Sequence, residues 1–95
     1  MDFFAKFREL YNIAKSLEDS IIIHDDEWKD FNRKLHNYTL ENLENIYTAI
    51  IHYYYIETKK LDEFPYDLKR YKNEEGVTFD PKKLPVCLQY IILKF

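Results

Sequence analysis

The chain has one glycine, Gly76, in 95 residues. Phosphate-cradling loops need several glycines so that the backbone can approach the ligand, which excludes nucleotide enzymes of that kind. One cysteine, Cys87, can form no disulfide within the chain; its apolar neighbours Val86 and Leu88 suit a buried thiol in a reducing, intracellular compartment. Long hydrophobic runs are missing too. The stretch 90–93 falls far short of the ~20 residues that span a membrane, so no membrane association is expected. Nor does a secretory leader open the chain, because Lys6, Arg8 and Glu9 interrupt Phe3, Phe4, Phe7, Leu10 and Tyr11. Finally, an excess of positive charge is lacking. A net charge of −3 and a pI near 5.6 argue against a nucleic-acid binder, which usually carries a basic face, and favour a neutral or basic partner.

What is present is an aromatic-rich, mixed-charge composition: 46% apolar and 18% aromatic residues, enough to drive folding of one small domain over 1–95. Lys, Ile, Tyr and Asn are favoured over Arg and Ala. These are residues of A+T-rich codons, which suits the genome of a large DNA virus among other sources.

Periodicity predicts a mainly α fold, a bundle of about four helices with one short strand-like segment near 76–79. Phe3, Phe4, Phe7, Leu10, Tyr11, Ala14 and Leu17 recur at helical spacing, with Asp2 placed to cap them. Ser20-Ile21-Ile22-Ile23 reads as a buried connector or a short strand. Asp25 or Asp26 can cap a second helix through Leu35 with Trp28, Phe31 and Leu35 on one face. Thr39 precedes the clearest helix, where Leu40, Leu43, Ile46, Tyr47, Ile50, Ile51 and Tyr54 keep the period and Glu41 complements the dipole. Pro65 then ends helical geometry at Phe64, and the mixed segment 66–73 reads as the main loop. Pro85 suits the first position of a last helix reaching Phe95, apolar on nearly all sides. That helix is central to the fold, or part of it meets a partner.

Few constellations carry chemistry. His24-Asp25-Asp26-Glu27 are successive on a helix, point about 100° apart and cannot close on one ion; capping explains them. His36 and His52 have no acid or cysteine at ligand spacing. Cys87 lacks the electropositive neighbours that make a thiolate. No enzyme, metal or cofactor is therefore expected. In Tyr53-Tyr54-Tyr55 only Tyr54 continues the core stripe, and the three read as a half-buried aromatic collar or a partner-binding surface. Lys59-Lys60, Lys69-Arg70 and Lys72 read as a solvated basic loop.

From Tyr38 onward the order of features resembles the extra-terminal domain of the bromodomain and extra-terminal family. Tyr38-Thr39 stands where the family has a leucine-proline pair, followed by Leu43, Ile46, Tyr47, Ala49 and Ile50. Gly76-Val77-Thr78-Phe79-Asp80 occupies the place of its acidic-aliphatic alternation, then come Leu84 and the helix from Pro85. Residues 1–37 would then be an N-terminal extension and 38–95 the family-like module. Gly76 and Thr78 replace family acids, the middle loop is longer, and Pro81 follows the strand.

The resemblance implies a non-enzymatic module of transcription or chromatin that docks a basic, apolar peptide by strand addition. Val77 and Phe79 would supply the strand, Glu74, Glu75 and Asp80 the attraction for basic residues, and Ile46, Ile50 and Leu88 the cleft. The alternative is a small assembly protein, viral for instance, that forms an oligomer through its C-terminal helix or docks on a larger complex. Between them stands one structural question. Residues 77–79 need a pairing partner, and Ile21-Ile22-Ile23 within the chain competes with a peptide from outside.

Overall fold

A computed structural model describes residues 3–61, 65–67, 69, 70, 77, 78 and 80–95. Four helices carry the fold: α1 (Phe3–Ser16), α2 (Asp25–Leu35), α3 (Leu40–Thr58) and α4 (Val86–Lys94). A two-residue antiparallel ladder joins β1 (Lys69–Arg70) to β2 (Val77–Thr78) between α3 and α4. Single 3₁₀ turns lie at Glu18–Ser20, Pro65–Asp67 and Pro81–Lys83. The expected mainly helical domain is what forms. Among the described residues, no helix is long and apolar enough to cross a membrane.

Helix ends follow local chemistry. Thr39 caps α3 as expected: its Oγ1 accepts from the Asn42 N–H at 3.1 Å, while Asn42 Oδ1 accepts from the Thr39 N–H at 3.0 Å. This reciprocal pair satisfies two amides that the helix leaves without partners. At α2 the cap is neither Asp25 nor Asp26, which lie inside the helix. His24 is the capping residue, and the Glu27 carboxylate accepts from its backbone N–H at 2.9 Å. Pro85 likewise stands just outside α4, with Leu84 extended before it. α3 stops at Lys59, which turns left-handed at φ 60°. Asp2, proposed as the cap of α1, lies outside the described residues.

α4 is the centre of the bundle and packs against all three other helices. Its Cys87, Leu88, Ile91 and Ile92 meet Phe7 and Ala14 of α1, Trp28 and Phe31 of α2, and Ile46, Ala49, Ile50 and Tyr53 of α3 in one core. Burying each such large apolar side chain contributes about 1.5–3 kcal/mol, so the core is what orders these short helices. This resolves the apolar excess of α4: three neighbours take up its surface. Val86, Tyr90, Leu93 and Phe95 pack around this core and stay partly exposed. On the α2 side, Trp28 Nε1 donates to Gln89 Oε1 at 3.3 Å and Gln89 Nε2 to the Leu84 carbonyl at 2.8 Å, which fixes α2 against the start of α4.

Two expectations are corrected by this packing. The core stripe of α3 is Ile46, Ala49, Ile50 and Tyr53, so Tyr53 and not Tyr54 belongs to it. Steps of three and four from Ile46 reach Ala49, Ile50 and Tyr53, whereas Tyr54 starts from Leu40, Leu43 and Tyr47 on the neighbouring face. Residues 21–23 form no strand, and β2 pairs with β1 instead, Lys69 opposite Thr78 and Arg70 opposite Val77. A local hairpin closes a far smaller loop than a pairing across the whole chain would. Ile21 and Ile23 turn inward against the core while Ile22 stays 76% exposed, so this segment is an extended connector.

Candidate interaction surface

Two regions stand apart from the core. The first is a polar cluster where α1, α3 and α4 converge. Lys15 Nζ pairs with Glu57 and lies 3.3 Å from Glu18 Oε2, while the Tyr11 hydroxyl donates to Glu57 Oε1 at 3.3 Å. The lysine also stands 5.7 Å over the rings of both Tyr11 and Tyr53. Its hydrogen bond to Glu57 raises the Lys15 pKa well above the usual ammonium range and lowers that of Glu57, the partial burial of each working against the shift. Burial, with the Glu57 charge nearby, raises the Tyr53 hydroxyl.

Beside this cluster an open cavity of about 290 Å³ is lined by Lys15, Glu18, Glu57, Tyr66 and Cys87 among others. It offers little chemistry. Burial pushes the Cys87 thiol up, and its hydrogen bond to Glu18 Oε2 at 3.4 Å adds to that, so the group is a protonated donor rather than a thiolate. A second bond, to the Ala14 carbonyl at 3.6 Å, ties α4 to α1. Among the described residues, no three His, Cys, Asp or Glu side chains converge as a metal site would require. The cluster reads as an electrostatic clamp between helices.

The second region is the outward side of α3. Leu40 is 70% exposed, Leu43 and Tyr55 43% each, and Leu61 just past the helix 81%. Tyr47, Ile51 and Tyr54 lie half-exposed at the intervening helical steps, Tyr54 with its ring edge-on to Tyr66 at 5.4 Å. α3 thus carries two apolar stripes, one facing α4 and one facing out. A helix apolar on two sides buries both in a central position, yet here the second stays accessible. Charges divide along it: Glu41 and Glu44 are exposed near the N-terminal end, Lys59 and Lys60 at the other.

The expected peptide-docking residues are dispersed. Glu74, Glu75 and Phe79 lie outside the described residues. Val77 is in β2, one edge of which is already paired. Asp80 is exposed, but its Oδ1 accepts from the Lys82 N–H at 3.0 Å and caps the turn before α4. Ile50 and Leu88 are sealed in the core at 1% and 0% exposure and line no open cleft. Ile46, though buried, borders a cavity of about 140 Å³ with Tyr38, Asn42, Asn45, Ile92 and Phe95. The outer stripe of α3 was hidden in the sequence because both stripes share one periodic pattern; the signal that could have separated them is that Leu40, Tyr47 and Tyr54 stand one residue off the Leu43-Ile46-Ile50-Tyr53 line. Compared with protein-family models, with curated proteins and with solved structures, the chain matches none of them.

Proposed function

We propose that the protein is a non-enzymatic assembly module that docks on another protein surface through the outward side of α3. The observation that carries this reading is the accessible stripe of Leu40, Leu43 and Tyr55 on an element whose other face is in the core, with Leu61 exposed just beyond its end. Accessible apolar area concentrated on one rigid helix is suited to helix-on-surface recognition, where spaced side chains anchor into a partner's groove. A photo-crosslinking residue at Leu43 is expected to capture a protein in extracts of the native host, while the same residue at Asn32, exposed on α2, captures none. Equal capture at both positions, or none at Leu43, removes the proposal.

A second reading is strand addition at the hairpin, as the resemblance to the extra-terminal domain implies. Its support is that, among the described residues, the sheet has two strands, so β2 keeps an edge that β1 does not fill. The partner would be a peptide alternating basic and apolar residues, and the setting transcription or chromatin. Capture from a crosslinker at Thr78 and not at Leu43 would exchange the two readings.

A further inference from the structure

We infer that the occupant of the α3 face is a second copy of this chain, docked antiparallel; this rests on the assembly reading above. The argument is the placement of charge. Glu41 and Glu44 flank the N-terminal half of the stripe and Lys59 and Lys60 follow its C-terminal end, all four exposed. Helical steps from Glu41 through Thr48 and Tyr55 to Lys59 stay on one flank, so acid and base lie along the same side of the stripe. Laid antiparallel about a two-fold axis, each copy's Glu44 faces Lys59 of its mate, and the axis falls beside Ile51. Parallel docking would instead keep Glu41 and Glu44 at the height of their counterparts, with the charged flanks on opposite sides of the interface, so that no Glu–Lys pair forms. The antiparallel arrangement forms each attractive pair twice, as a two-fold interface must. The opposed helix dipoles favour the same direction.

The size of the face sets the strength. A helix of 19 residues is about 28 Å long and about 10 Å across. One such face against another is at the low end of specific interfaces, so the dimer dissociates on dilution instead of being obligate. With no described cation or anion cluster elsewhere on the stripe, the partner that complements this pattern at both ends is the pattern itself, reversed.

Sedimentation of the purified full chain from micromolar to millimolar protein tests this. The wild type is expected to pass from 11.7 kDa monomer to dimer across that range. Glu44→Lys and Lys59→Glu are each expected to weaken association by roughly tenfold, and an equimolar mixture of the two variants to regain it. Lys60→Glu replaces Lys59→Glu if the left-handed position does not accept glutamate, as circular dichroism would show. A wild type that stays monomeric, charge variants that associate like the wild type, or a mixture that fails to recover each overturns the antiparallel dimer. The two proposals part on the crosslinker at Leu43. Capture of a different protein in extract by a chain that is monomeric when pure leaves the assembly reading standing and this inference refuted.

Discussion

At the scale of single residues, His52 shows how a side chain on the edge of the core carries a pH signature. Its ring meets Phe7 at 4.8 Å and Phe4 at 5.3 Å between centroids, both edge-on, and burial holds the imidazole below its ordinary value of 6.5. Above that value the folded and unfolded chains are both neutral at this site, and its contribution is complete. As pH falls through 6.5 the unfolded chain takes up the proton first, so stability declines until the folded imidazole also titrates. His52→Gln is expected to flatten the slope of urea-unfolding stability between about pH 7 and pH 5. Identical slopes in the two proteins would show that burial of this ring does not oppose protonation.

The elements show which features a linear reading can find. Caps and turns involve neighbours in sequence, so the Thr39 cap could be read from residue types alone, and the start of α4 to within one residue of Pro85. The core side of α3 could not, because Tyr53 and Tyr54 differ by one position in a helix that is apolar on both faces, and only the position of α4 chooses between them. Removing the Tyr53 ring with Tyr53→Ala should cost roughly 3–5 kcal/mol in chemical denaturation, and Tyr54→Ala under about 1 kcal/mol. The reverse order would mean that the helix is rotated by about 100° from the arrangement described. β1 was invisible for a different reason: Lys69 and Arg70 carry no strand preference of their own, and their pairing with Val77 and Thr78 follows from the closeness of the two segments rather than from side-chain type. The exposed apolar side of α3, for its part, emerged only once the core had claimed its own side of the helix.

Across the whole molecule the clamp of Lys15, Glu18 and Glu57 links helices that are far apart in the chain, and no local pattern announces such a contact. Both side chains of the central pair keep about a third of their surface in solvent, 34% and 32%, so the interaction is screened despite its short range. A double-mutant cycle with Lys15→Met and Glu57→Gln should give a coupling of about 0.5–1 kcal/mol, falling in high salt. Zero coupling would assign the pair no part in holding α1 to α3. The depressed carboxyl of Glu57 contributes above its ordinary 4.5 and is lost as pH falls through its folded value, while the raised Lys15 contributes below 10.5 and is lost as pH rises through its own.

α1 closes against α4, with Phe3 5.1 Å from the Phe95 ring and Lys6 Nζ donating to the Phe95 carbonyl at 3.1 Å. α1 therefore needs α4, which is made later, to complete its packing. Until residues 86–95 are available, Phe7, Ala14, Trp28, Phe31 and Ile50 lack the helix at the centre of their core, and the nascent chain carries part of its apolar stripes uncovered.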